Sequence, residues 1–141
     1  MSAASNFLEN KVLDHVLRYS TAPYTAPSTL YLALFNNTSG NAATNLEAGT
    51  LTDEVSTSGT AYARTAITFN AASSGSSTNN GAVTFATATA SFGSITHVAV
   101  MSNDTEGAGD VLFWGAVTTA KTIDTGDTFQ VANANLTISL A

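Results

Sequence analysis

The stretch TLYLALFN at residues 29–36 decides the fold class, because its apolar residues occupy both sides of a two-residue period. Leucines recur at positions 30, 32 and 34, and the intervening positions hold tyrosine, alanine and phenylalanine. A strand with one solvated face would carry polar side chains at every second position. The pattern therefore predicts an interior strand that is covered on both faces.

Five further segments have the two-residue period and complete a set of six predicted strands. The last one places Leu136, Ile138 and Leu140 on one face and hydroxyl side chains on the other, which is typical of one buried and one solvated side. Long polar loops at 36–60 and 70–81 connect them, and TLTDEV at 50–55 is a candidate for a short extra strand. The five segments are 61–69, 81–92, 94–102, 110–117 and 128–140.

The N-terminal region has the longer period of a helix, predicted over residues 6–19. Asn6 and Glu9 have the spacing of a capping box, and two prolines follow within 23–27. The apolar face either covers one end of the β-structure or docks onto another protein, and the sequence leaves both options open. Its members are Leu8, Val12, Leu13, Val16, Leu17 and Tyr19.

These patterns predict a mainly β protein, an antiparallel β-sandwich with one N-terminal α-helix. We expect a single domain over 1–141, with the helix at 6–19 and the sandwich at 29–141. A jelly-roll-like strand order is one arrangement compatible with this pattern.

The composition points to a surface that contacts other molecules without relying on charge. Only 10% of the 141 residues are charged, against about 25% in ordinary soluble domains, so Thr, Ser, Asn and Ala must cover the surface. The net charge of −6 argues against a nucleic-acid partner, which would need clustered Lys and Arg. The chain contains no cysteine, so disulfides and thiolate chemistry are excluded.

The N-terminal residues lack the cationic start and continuous apolar core of a signal peptide. No apolar run approaches the roughly 18 residues of a membrane span. We therefore expect synthesis in a cytoplasm without a cleavable signal, and no membrane partner.

The sequence offers no arrangement typical of an enzyme or a cofactor site. It lacks the G-x-S-x-G motif of serine hydrolases, and its two histidines, His15 and His97, fall on a predicted helix and a predicted strand. Most acidic residues fall in predicted loops, where turn formation and solvation explain them. We expect no catalytic residues, no bound cofactor and no transition-metal site.

The loop at 103–109 is the one place where calcium binding stays open. Asp104, Glu106 and Asp110 supply oxygen ligands around a glycine-containing turn. The spacing differs from that of an EF-hand and no helices flank it. A plain hairpin loop is the preferred interpretation.

Arg64 stands out within AYARTAITFN at 61–70, because it is one of only four cationic side chains. A two-residue period places it on the side of Tyr62, Ala66 and Thr68, away from Ile67. Acidic residues outnumber cations ten to four. We therefore expect a structural salt bridge from Arg64 to a loop carboxylate, within the subunit or across an interface.

Trp114 and Phe113 are adjacent in a predicted strand, so their rings point to opposite faces. One ring is expected in the core, and the other can stack on a sugar or enter a neighbouring subunit. The candidate interface residues are Phe7, Leu8, Val12, Leu46, Leu51 and Trp114.

The order of these elements resembles a family of small structural proteins of tailed-bacteriophage virions, labelled tail fibre or capsid decoration (cement) proteins. The resemblance spans nearly the whole chain and brings no catalytic residues with it. It is carried by SNFLENKVLDHVL (5–17), TLYLALF (29–35), YARTAITFNAASSG (62–75), VTFATATASFGSITHVAV (83–100), GAVTTAKTIDTGDTFQ (115–130) and the terminal LTISL.

The resemblance implies a virion protein, made in the host cytoplasm and released by lysis. Its first functional expectation is a capsid decoration protein that bridges major capsid subunits and stabilises the shell. One alternative is a tail fibre or tail-tip protein, with tail proteins as partners and loops facing a host receptor. A third, from another class, is a carbohydrate-binding module using Trp114. A homo-oligomer is expected, and a trimer is one state such proteins adopt at symmetry axes.

Overall fold

Nine strands and two helices form within residues 3–18, 21 and 23–140, which the computed structural model describes. The predicted mainly β class with an N-terminal helix is confirmed. In chain order the elements are β1 (Ala3–Ala4), α1 (Asn6–Leu17), β2 (Leu30–Asn36), α2 (Ala42–Glu47), β3 (Thr65–Ile67), β4 (Ser76–Thr78), β5 (Val83–Thr84), β6 (Gly93–Met101), β7 (Val111–Ile123), β8 (Gln130–Val131) and β9 (Thr137–Ser139).

A five-stranded antiparallel sheet in the order β1-β7-β6-β2-β3 organises the fold. Two ribbons of two strands each, β4–β9 and β5–β8, face it and share one hydrophobic core with it. The two layers are unequal, which differs from the two four-stranded sheets of a jelly roll. The largest fully buried side chains of this core are Leu32, Leu34, Val55, Phe85 and Ile95.

The prediction that the strand at 29–36 is covered on both faces is confirmed. Leu32 and Leu34 are fully buried in the core shared with the ribbons. Ala33 and Phe35 are equally buried in a second cluster on the other face of the sheet. Helix α2 covers that second face with Leu46, a helix that the polar sequence at 36–60 did not predict.

Three predicted strands are shorter than their apolar patterns indicate. Only β3 forms within 61–69, and ahead of it the backbone N–H of Tyr62 donates to the Thr60 hydroxyl at 3.2 Å and not to a neighbouring strand. Within 81–92 only β5 is regular, since the backbone beyond it bonds to residues 127–129 at irregular spacing. The segment 128–140 divides into β8 and β9.

Other segments are more ordered than the sequence predicted. The strand predicted at 110–117 continues as β7 to Ile123, and it stays paired with β6 across a β-bulge. The polar loop at 70–81 contains β4. The candidate strand at 50–55 is a single bridge, in which Glu54 pairs with Phe35 of β2.

Asn79 joins the segment that follows β4 to the turn before β9. Its side chain is fully buried, and its Nδ2 donates to the carbonyl oxygens of Gly81 (2.7 Å) and Ala132 (3.0 Å). Its Oδ1 accepts from the backbone N–H of Leu136 at 2.8 Å. One amide side chain thus satisfies three backbone groups that the short ribbons leave without ladder partners.

Replacing Asn79 by alanine is expected to lower the free energy of unfolding by at least about 2 kcal/mol, because backbone groups near the core lose their partner. Urea denaturation measures the change. Asn80→Ala is the matched control, since Asn80 is exposed and should change stability by no more than about 0.5 kcal/mol. Equal effects of the two substitutions would contradict the role given to Asn79.

Asp53 holds the turn that leads into α2. Its carboxylate accepts from the backbone N–H of Ser39 (2.8 Å), from the hydroxyls of Ser39 (2.6 Å) and Thr38 (3.2 Å), and from Asn45 Nδ2 (3.4 Å). Burial acts to raise the pKa of Asp53, but the hydrogen bonds from Ser39, Thr38 and Asn45 outweigh it and leave that pKa below its ordinary value.

Asp53→Asn is expected to lower the free energy of unfolding by about 1.5–3 kcal/mol near neutral pH, because hydrogen bonds to a charged acceptor are lost. The folded-state pKa of Asp53 is depressed, so this stabilisation is present above the ordinary carboxyl pKa of about 4 and is lost as the pH falls below it. Denaturation of both proteins from neutral to acidic pH should show the difference shrinking. A pH-independent difference would contradict the assignment.

Candidate assembly surface and the Arg64 clamp

Helix α1 is attached to the sheet at its N-terminal end, through its N-cap Ser5 and the buried Leu8. Ser5 is fully buried, its backbone N–H donates to the carbonyl of Leu112 at 3.0 Å, and its hydroxyl donates to the carbonyl of Val111. The same hydroxyl accepts from the N–H of Leu8 at 3.3 Å, which makes Ser5 the N-cap. The predicted capping box of Asn6 and Glu9 is therefore wrong by one residue.

The rest of the apolar face of α1 is exposed, and we call Val12, Leu13, Val16 and Leu17 the α1 stripe. Their exposed fractions are 41%, 57%, 70% and 74%, whereas Leu8 is 6% exposed. The helix ends at Leu17 with Arg18 as C-cap, and Tyr19, where the predicted helix ended, lies outside the described residues. The sequence left two roles open for this face, which were covering the β-structure and docking onto another protein. Leu8 covers the β-structure, and the four residues of the α1 stripe do not.

Tyr24, which follows α1 in the chain, lies on the side of the helix away from the stripe. The backbone N–H of Tyr24 donates to His15 Nδ1 at 3.1 Å, and the rings of Tyr24 and Phe7 meet edge to face with centroids 6.5 Å apart. Lys11 Nζ lies 5.6 Å from the Phe7 ring centroid. The exposed apolar stripe is therefore a candidate contact surface.

The six candidate interface residues differ in how far they are exposed. Val12 lies in the α1 stripe, and Phe7 is half-buried against Tyr24. Leu8 and Leu46 were predicted as interface residues. The structure buries both within the chain, which corrects that prediction. The remaining two, Leu51 and Trp114, are partly buried against the second cluster beneath α2.

Trp114 has a partner within the chain that limits its use as a sugar platform. Its Nε1 donates to Glu47 of α2 at 2.9 Å, and its ring lies 6.3 Å from that of His97. Burial lowers the pKa of His97 below its ordinary value, as expected for a packed histidine. Phe113 points to the opposite face and packs against the main core.

Arg64 and Glu54 form a buried bidentate ion pair that we call the Arg64 clamp. Arg64 Nε donates to Glu54 Oε1 and Arg64 Nη2 donates to Glu54 Oε2, both at 2.7 Å. The two side chains are 0% and 2% exposed. The Tyr62 hydroxyl donates to Glu54 Oε1 at 3.1 Å and accepts from the N–H of Leu34 at 3.1 Å, which joins the clamp to β2.

The clamp lies in the interior, where the sequence did not place Arg64. The predicted alternation holds from Tyr62 to Arg64 and then changes phase, because Ala63 and Ala66 are exposed while Ile67 is buried. Of the ten acidic residues, the partner is Glu54 of the same subunit.

The clamp fixes the shape of the loop at 103–109. Arg64 Nη1 donates to the carbonyl oxygens of Asn103 (3.0 Å) and Ala108 (2.9 Å), and Glu54 Oε2 accepts from the N–H of Gly107 at 2.9 Å. Gly109 has φ +79°, and a Cβ there would meet the Asn103 side chain at 2.7 Å. These contacts hold the loop against the Arg64 clamp in a defined conformation.

The acidic side chains of this loop have protein partners. Glu106 accepts from the backbone N–H of Thr57 at 2.8 Å and from the Thr57 hydroxyl at 2.5 Å, and these bonds hold the pKa of Glu106 below its ordinary value. Asp104 accepts from the Thr105 hydroxyl at 3.3 Å. Among the described residues, no three His, Cys, Asp or Glu side chains come together as metal ligands.

Neither of the two helices that the structure describes is long and apolar enough to cross a bilayer.

Comparison with known proteins assigns the chain to a family. None of the curated proteins matches it. The family described as Podophage GP4 fiber I protein gp80 matches residues 3–139, which is nearly the whole chain. The resemblance to small structural proteins of tailed-phage virions is confirmed by this match. The chain therefore belongs to the family of Podophage GP4 fiber I protein gp80.

Proposed function

We propose that this chain is a non-enzymatic structural subunit of a phage tail fibre. The observation that carries the proposal is the match over residues 3–139 to a family described as a fiber protein. The exposed α1 stripe supports it, because an apolar face of this size on a structural protein is an attachment surface. The low content of charged residues supports it as well, since neutral side chains contact neighbours at little desolvation cost.

The proposed mechanism divides attachment and display between two parts of the molecule. The α1 stripe attaches the subunit to its neighbours in the fibre. The loop at 103–109, held by the Arg64 clamp, is presented outward with Asp104, Thr105 and Gly107 exposed or nearly so. A loop that is already ordered loses little conformational entropy when it contacts a host surface.

The proposal of a non-enzymatic role rests on how the polar groups are used. The strongest ion pair, Arg64 with Glu54, is buried and satisfied by structural partners. His15 bonds to the backbone of Tyr24, and His97 packs beside Trp114. Each of these groups has a structural role that explains its position.

The capsid-decoration role expected first receives no specific support. A neutral surface and an exposed helix suit either location, whereas the family description names a fiber. A carbohydrate-binding module using Trp114 is also disfavoured, because Glu47 and α2 occupy that side of the indole.

The number of copies per particle tests this proposal. A tail fibre subunit should be present at a few dozen copies or fewer, set by the low-order symmetry of a tail, and quantitative mass spectrometry of purified virions against the major capsid protein measures it. Hundreds of copies would overturn the tail assignment and restore the capsid one.

A further inference from the structure

A polar cavity of about 350 Å³ opens where the start of β2 meets the end of β6, and we call it the Tyr31 cavity. The two strands are antiparallel neighbours with Tyr31 opposite Met101, so both segments lie at the same end of the sheet. The six polar residues that line the cavity are Ser28, Thr29, Tyr31, Ser102, Asn103 and Asp104.

Most polar groups of the Tyr31 cavity have no partner in the protein. Within the described part of the chain, no hydrogen bond reaches the hydroxyls of Ser28, Thr29 and Tyr31. Asp104 is exposed and uses one carboxylate oxygen, which accepts from the Thr105 hydroxyl. The cavity therefore offers three hydroxyls and a carboxylate oxygen to a ligand.

The fold holds one wall of the cavity in place. Arg64 Nη1 donates to both the carbonyl oxygen (3.0 Å) and Oδ1 (2.9 Å) of Asn103, and no described residue accepts from Asn103 Nδ2. Ser102 Oγ accepts from the N–H of Asp110 at 2.8 Å, which joins the two ends of the loop. Asn103 thus presents a positioned donor, and a positioned group loses little conformational entropy when it binds.

The lining selects an uncharged ligand with several hydroxyls. Asp104 is the only charged residue in it, so an anion would be repelled. Calcium takes about six to eight oxygen ligands and favours several carboxylates, whereas this cavity has one. A sugar has adjacent hydroxyls that a carboxylate can accept together, and C–H groups that pack on an aromatic ring such as that of Tyr31. The volume lies within the roughly 300–1,000 Å³ of small-molecule sites.

We propose that the Tyr31 cavity binds a neutral sugar residue of a host-cell glycan. Asp104 accepts from sugar hydroxyls, Asn103 Nδ2 donates to a sugar oxygen, and the Tyr31 ring packs against the sugar. The inference names the ligand class for the loop at 103–109, and it rests on the proposed function for placing that loop at a host surface. One such contact is weak, but repeated copies on a particle raise the overall affinity.

An NMR titration of the isotope-labelled full chain tests the site. The probes are the methyl α-glycosides of glucose, galactose, mannose and N-acetylglucosamine, each added alone. At least one should shift the backbone amides of 28–31 and 102–104 saturably, with a dissociation constant on the order of 1 mM. Asp104→Asn should raise that constant at least about tenfold, because hydrogen bonds to a charged acceptor are lost. Glu9→Gln, which changes an exposed carboxylate outside the cavity, is the matched control and should bind like wild type.

Three results of this titration would overturn the sugar site. The first is no saturable shift with any of the four probes, and the second is binding that Asp104→Asn leaves unchanged. The third is a shift of the same amides by calcium chloride alone that Asp104→Asn abolishes, which would indicate a cation site. None of them concerns where the chain lies in the particle, so the proposed function would stand.

Phage adsorption tests whether the sugar belongs to the host surface. Virions complemented with Asp104→Asn should adsorb to host cells several-fold more slowly, at normal incorporation of the chain by immunoblot. The methyl glycoside that binds in the titration should slow wild-type virions as well. Adsorption that neither change affects would overturn the host glycan as the ligand.

Discussion

Replacing Arg64 by alanine is expected to lower the free energy of unfolding by about 3–5 kcal/mol, because Glu54 would remain buried without its partner. The substitution also removes the donor to the carbonyl oxygens of Asn103 and Ala108. Urea denaturation of both proteins at neutral pH measures the loss. Hydrogen exchange provides a second measurement, since the Gly107 amide that donates to Glu54 should lose protection.

Arg18→Ala is the matched control for this experiment. Arg18 also pairs with a carboxylate, Asp14 at 3.2 Å, but the two side chains are 64% and 39% exposed. Exposed pairs of this i,i+4 type contribute about 0.3–0.5 kcal/mol. If Arg64→Ala were no more destabilising than Arg18→Ala, the clamp would not hold the loop at 103–109.

Leu13→Ser combined with Leu17→Ser is expected to leave the subunit folded and to remove it from particles almost completely. Both side chains are mostly exposed, so folding should change little, within about 0.5 kcal/mol per site. The attachment surface, in contrast, would lose two of its four anchors, and interface anchors carry most of the binding free energy. A phage lacking the gene, complemented with each version, allows the incorporated protein to be measured by quantitative immunoblot.

The control for particle incorporation is a pair of substitutions on the polar side of the same helix. Lys11→Ser with Arg18→Ser changes two exposed residues opposite the α1 stripe and leaves the stripe intact. This protein should be incorporated at the wild-type level. Normal incorporation of the Leu13→Ser, Leu17→Ser protein would show that attachment uses a different surface.

The parts of the fold that follow a regular period could be predicted from the sequence. The strand at 29–36 has apolar side chains on both faces, and burial of both is what the structure contains. Helix α2 could not be found in this way, because its six residues carry little helical signal and Asn41 makes no capping bond. Tertiary contacts stabilise it instead, through burial of Leu46 and the hydrogen bonds of Asp53.

The candidate sites depend on distances between segments, which the sequence does not contain. The composition indicated that Arg64 would find a carboxylate, but ten acidic residues were available and no pattern selected Glu54. The change of phase after Arg64 also broke the alternation used to place it. The period of α1 identified its apolar face, but only the tertiary structure shows that Leu8 is covered while Leu13 and Leu17 are not.

Immunogold electron microscopy of intact virions, with antibodies against the purified chain, tests the assignment to the tail fibre. Labelling should be confined to the tail and its fibres and should be absent from particles whose gene for this chain is deleted. Gold distributed over the capsid surface, with the tail unlabelled, would contradict the assignment.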